Sequence, residues 1–215
     1  MKEIPGISFI QNDGVPTVDS ENALYMIPLW KDEEYFSNID SKTKFIKAVE
    51  NLVRASERYS AYKKHLIEVV GLDHCVVFKD IDTKDASIEM HHGPIFTLYD
   101  YVEIMISYFL LKRWKINTMT IASAILDEHE NDNIQVVMLS SSVHEEVGDR
   151  NIFIHPSQAY GHIDRFIKKY RPAIGNDLRE KYNRYMDRCM MTEGTDFGLL
   201  QLNPKLWEDK DKFKY

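Results

Sequence analysis

Three of the histidines in this sequence stand where chemistry is easiest to build. "IEMHH" ends a strand-like run in the adjacent pair His91 and His92, immediately before a Gly-Pro turn. "VVMLSSSVHEEVGD" carries His144 just beyond a second strand-like run and a serine-rich turn. A neutral imidazole, with an intrinsic pKa of about 6.5, can take a proton near neutral pH, and its ring nitrogens suit transition-metal cations. The bland alternative is a pair of polar residues at a strand end. The serines read as caps for the helix bearing His144 rather than as nucleophiles. His65, beside Lys63 and Lys64, reads as a solvated residue, and His74, His129, His155 and His162 as hydrogen-bonded or exposed ones.

The elements that must position these residues follow from the hydrophobic period. Residues 1–40 hold Pro5, Pro16 and Pro28 with scattered aromatics and little sustained period, which predicts an extended arm with short strands or turns. Over 41–71, Phe45, Ile46, Val49, Leu52, Val53, Tyr59, Tyr62, Leu66 and Val69 recur at helical steps behind an Asp40 or Ser41 cap, so one long helix ending at Gly71 is predicted. "CVVFKDI" from Cys75 has the composition of a strand, and "DTKD" reads as the turn into the strand "ASIEMHH". Thr97 and Asp100 fit a capping box ahead of a buried helix, and Thr118 begins a second helix. "IQVVML" reads as a buried strand, "SSSVHEEV" as a short helix and "NIFI" as a returning strand. Helices over 160–170 and 176–190 are separated by Pro172, and the charged C-terminal tail is predicted to fray. The domain reading is an arm (1–40), a long helix (41–71), a core with a helical insertion (72–158, insertion 97–131), and C-terminal helices with a tail (159–215).

Composition narrows the classes. A length of 215 residues with 44% hydrophobic and 28% charged residues is that of a globular chain able to bury a core. A net charge of −7 argues against a surface that binds nucleic acid all round; between Arg165 and Arg188 a basic stretch with Lys168, Lys169 and Arg171 offers a local face for DNA, although the mixed charge there reads first as a solvated helical face. The two cysteines, Cys75 and Cys189, lack metal or redox spacing, and no signal-like or membrane-spanning run is evident. These features predict a cytoplasmic protein without a membrane partner, with a protein partner or a second copy meeting the N-terminal arm.

The doublet, the second strand and His144 together resemble the HNH, or ββα-metal, endonuclease family. Residues 72–170, including "HHGPIFTLYDY" and "VVMLS", are similar to HNH-like proteins of large tailed phages. The resemblance implies an α+β fold, mainly helical, with a small antiparallel ββα-metal core, the extended arm and the C-terminal helices. It also implies a DNA endonuclease using one divalent cation (Mg²⁺, Mn²⁺, Ni²⁺ or Zn²⁺). On that reading His91 and His144 are metal ligands, His92 is the general base, and Gln135 stands where the family has a bracing asparagine. The chain departs from the family pattern at Gly148, where a further ligand is common, with Glu145, Asp149 or His155 as substitutes. It departs again at Gln135, with Asn133 nearby, and in its helical insertion. These departures favour a second reading, a catalytically degenerate module serving as a phage structural or protein-interaction component. A third is a metal-stabilised regulator that binds nucleic acid without cutting it.

Overall fold

A computed structural model describes residues 7–8, 17–18, 30–148 and 152–191. Most of the arm and the C-terminal tail lie outside the described residues. Within the arm, β1 (Ile7–Ser8) pairs antiparallel with β2 (Thr17–Val18).

Asp32 caps α1 (Glu33–Ser37) by accepting from the Tyr35 amide, and Asn38 caps α2 (Ile39–Arg54) by accepting from that of Ser41. The cap expected at Asp40 or Ser41 therefore lies slightly upstream. The expected single helix over 41–71 is two helices, α2 and α3 (Glu57–Glu68), and Ser56 explains the break. Its hydroxyl donates to the Val53 carbonyl at the end of α2 and accepts from the Tyr59 amide at the start of α3. A serine that satisfies backbone groups on both sides favours a cap over an uninterrupted helix. The apolar period continues through the break, with Phe45, Ile46, Val49 and Val53 buried from α2 and Tyr59, Tyr62 and Leu66 from α3. Gly71, at φ +84°, allows the reversal in which the Leu72 amide returns to the Leu66 carbonyl.

"CVVFKDI" is not a strand. The Cys75 amide donates to the Ile81 carbonyl and the Ile81 amide to that of Phe78, so the segment folds back on itself. The segment meets a strand at two points, where the Val76 amide donates to the Met138 carbonyl at 2.9 Å and the Cys75 sulfur accepts from the Ser140 hydroxyl at 3.7 Å. Apolar, β-branched composition favours a sheet only where a partner edge is free along its length, and here local turn bonds win.

The strands expected at "IEMHH" and "VVML" are present, as β3 (Ile88–His92) and β4 (Val136–Ser140), and they pair with each other rather than β3 with "CVVFKDI", antiparallel with His92 opposite Val136 and Ile88 opposite Ser140. Between them come α4 (Leu98–Leu111), with the expected Thr97–Asp100 capping box, and α5 (Thr118–Glu130). The cap of α5 is Asn117, one residue before the expected Thr118, in a box with Thr120. Helices α2, α4 and α5 pack on one another, burying Val49, Tyr101, Ile104, Met105, Ile121 and Ile125 in the central core.

After β4 comes α6 (Ser141–Gly148). The described part of "NIFI" forms no strand; the backbone instead bridges Val136 through Tyr160. Gly161 turns the chain there at φ +109°, where a Cβ would lie 2.3 Å from the Ile134 carbonyl oxygen. The predicted C-terminal helices appear as α7 (Ile163–Tyr170) and α8 (Asn176–Met191). The class is α+β, mostly helical, with the β3–β4 antiparallel pair in the body and β1–β2 in the arm. Among the described residues, no helix is long and apolar enough to cross a membrane.

Candidate functional site

Side chains alternate across a strand, so the two adjacent histidines face opposite ways. The burial of β3 shows the alternation: Ile88, Met90 and His92 are buried, while Glu89 and His91 are half-buried. Each histidine meets a different partner.

His92, only 4% exposed, places Nε2 2.9 Å from Nε2 of His129, which comes from α5. The Nδ1 of His129 lies 2.8 Å from the Ile125 carbonyl oxygen. A carbonyl can only accept, so His129 carries its proton on Nδ1 and presents a bare Nε2. His92 must then donate from its own Nε2, which leaves its Nδ1 as the bare nitrogen. Among the described residues, that buried Nδ1 has no hydrogen-bond partner. The Tyr59 ring stacks on His92 at 5.9 Å between centroids, and Tyr62 meets His129 edge-on at 5.4 Å. Burial holds the His92 pKa well below the usual histidine value and that of His129 down to about 4. Both rings are neutral members of the core.

On the other face His91 meets His144 edge to face, with ring centroids 4.8 Å apart. His144 Nδ1 lies 2.7 Å from a Glu89 carboxylate oxygen, and Ser141 donates to the other oxygen at 3.0 Å. The Ser141 hydroxyl, ahead of electrostatic attraction to His144, draws the Glu89 pKa down. Partial burial and then the neighbouring His144 charge lower that of His91 to about 4. The ring of His91 folds back over Gly93, where a Cβ would come within 3.2 Å of it. The structure thus brings His91 and His144 together, as expected of a pair, but sends His92 to a separate environment. Among the described residues, no group of three or more His, Cys, Asp or Glu side chains is arranged to hold a metal ion.

The remaining sequence candidates have local partners. Gln135 is buried, its side-chain amide reaching only the Pro156 carbonyl at 3.5 Å, and its backbone amide donates to the Tyr101 hydroxyl. Lys169 donates to Glu128 at 2.5 Å, so its charge ties α7 to α5. Lys168 is exposed, and Arg171 lies in the turn after α7, where its carbonyl accepts from Arg179. His155 bonds Ser157 and caps a short 3-10 turn. Asn133 donates to Glu128, Glu145 is exposed, and Asp149 lies outside the described residues.

Sequence reasoning missed three partners: Glu89, Glu128 and His129. For Glu89 a signal was present, because the two-residue period of a strand puts it on the face of His91. For the other two the pattern gave no signal, since His92, Lys169 and Tyr170, which meet them from other elements, lie 37 to 42 positions away.

A family model described as bacteriophage G278-like virion protein matches residues 15–205. No curated protein and no solved structure matches. The family match overturns the resemblance to HNH nucleases and the nuclease, hydrolase and metal-binding character drawn from it. The catalytic roles of His92 and Gln135, and the ligand roles of His91 and His144, rested on that resemblance. DNA as a partner gains no support from the match. The chain, covered over nearly its whole length by this model, belongs to the bacteriophage G278-like virion protein family.

Proposed function

We propose that this protein is a structural component of the phage particle, working through contacts with other protein chains. The family match over residues 15–205 carries this reading. The polar groups of β3 and α5 support it by bonding within the fold: His92 Nε2 meets His129, Glu89 meets Ser141 and His144, and Glu128 meets Lys169, Tyr170 and Asn133. Such groups brace a scaffold. Several large apolar side chains are left outside, among them Ile39, Phe78, Trp114 and Met119, which suits a chain that buries further surface on assembly.

Mass spectrometry of gradient-purified particles, with antibody labelling on grids, tests the reading. The expected result is a fixed copy number per particle that survives high-salt washing. Abundance in the infected-cell lysate with absence from washed particles would contradict it.

A further inference from the structure

We propose that copies of this chain dock head to tail, the loop carrying Phe78 in one copy seating in a basic groove between α2 and α3 of the next. The proposal rests on the structural reading above and names one partner for it.

The groove has a volume of about 440 Å³ and is lined by Arg54 at the end of α2 and by Tyr59, Ser60, Lys63, Lys64, Ile67 and Glu68 of α3. Its charge is three cations against one carboxylate. Arg54 lies 4.0 Å from Glu50, and Lys64 lies 3.8 Å from Glu68, both pairs loose and solvated. Tyr59 and Ile67 supply an apolar wall. The site has the size and mixed character to take an aromatic side chain flanked by carboxylates.

The chain carries a segment of that kind. Phe78 is 52% exposed at the turn closed by the Ile81 amide and the Phe78 carbonyl. The segment that carries it holds Asp80 near the turn and Asp73, Asp82 and Asp85 nearer its base, where Asp73 meets His74 at 3.2 Å, against Lys79 and Lys84, and Asp73, Asp80 and Asp85 are exposed. Lys84 pairs loosely with Asp82 at 3.7 Å. The segment as a whole is therefore an acidic knob, with four aspartates against two lysines and an aromatic tip, opposite in sign to the groove, and a cation over the ring face would add to the fit.

Knob and groove belong to different parts of one copy. The knob hangs from the outer edge of β4 through the Val76–Met138 bond, whereas the groove lies between α2 and α3, where Tyr59 stacks on His92 of β3. A contact between unlike surfaces leaves a knob and a groove unused at the two ends, so it continues into a ring or a filament. Nucleic acid suits the groove less well, because Glu68 lines it and the chain as a whole carries −7.

Sedimentation of the full chain over a concentration series, at low and high salt, tests the proposal. Self-association is expected, weakening as salt rises. Phe78→Ser and the double variant Lys63→Glu/Lys64→Glu should each weaken it by about ten-fold or more, a change of about 1.4 kcal/mol per ten-fold. Circular dichroism should show both variants folded. Mixing the two should yield a discrete one-to-one dimer, because one retains the groove and the other the knob. A wild-type chain that stays monomeric under all conditions would overturn the proposal. So would association untouched by both variants, which would leave the virion assignment to the particle analysis alone. Two monomeric variants that fail to pair on mixing would also overturn it. Mixed-sequence duplex DNA bound by the wild type, lost in the lysine double variant and unaccompanied by self-association, would reassign the groove to phosphate.

Discussion

His91 and His92 are neighbours in sequence and strangers in space. One stands over Gly93 beside His144 at a half-exposed rim; the other is locked against His129 beneath Tyr59. A strand sends successive side chains to opposite faces, so a doublet on a strand is divided between two environments by geometry alone. The core pair is neutral, directional and closed to solvent, and its geometry fixes both tautomers. The rim pair is linked to a carboxylate and a serine hydroxyl that are themselves partly solvated. Residue type is the same in both places, and environment decides what it does.

Breaking the core pair should cost most. His129→Ala leaves a cavity and strips the His92 Nε2–H of its acceptor, and unfolding by urea should show a loss of about 3 kcal/mol or more. The corresponding rim change, His144→Ala, should stay within about 1 kcal/mol, since its partner Glu89 is partly solvated and keeps Ser141. Equal losses at the two sites would erase the distinction.

Acid should sharpen the comparison next. In the unfolded chain histidines take up protons as pH falls through about 6.5, whereas the folded values of His92, His129 and His91 are lower. The unfolded state therefore binds more protons over that interval, and stability must rise with pH. The contribution of these histidines is complete above about pH 6.5 and is lost as pH falls, toward about 4 for His91 and His129, with a slope of up to about 1.4 kcal/mol per pH unit for each. A His92→Leu/His129→Leu variant should flatten most of that slope while retaining the share due to His91. An unchanged slope would place the sensitivity at the rim.

Smaller effects test whether α7 is scaffold. Lys169→Met removes one of three partners of the buried Glu128, which keeps Tyr170 and Asn133. Because Lys169 is itself half exposed, the expected loss is about 1 kcal/mol, read as a lower urea midpoint.

Much of the architecture was legible in the sequence. The helices α4, α7 and α8, the Thr97 capping box and the strands at "IEMHH" and "VVML" all depend on local rules that the chain obeys, whereas the pairing of those two strands across more than forty residues does not. Where expectation failed, a competing local interaction was responsible. Ser56 satisfied two helix ends at once and cut the long helix, and the Cys75–Ile81 bond closed a loop in a segment with strand composition. The site was less legible. The motif that suggested a nuclease counts residues along the chain, but a doublet, a strand and a distant histidine also arise when a β-pair packs one histidine inward and another outward. The pairing of His92 with His129 lay across 37 positions, and nothing in the hydrophobic period of α5 marks the histidine as its partner.

The most direct test of this division is a pH titration of ¹⁵N-labelled imidazole resonances, which reports both tautomer and ionisation. The structure predicts His92 protonated on Nε2 and His129 on Nδ1, both remaining neutral as free imidazole titrates through about pH 6.5. A His92 ring protonated on Nδ1, or titrating near that ordinary value, would contradict the buried dyad and return the doublet to solvent.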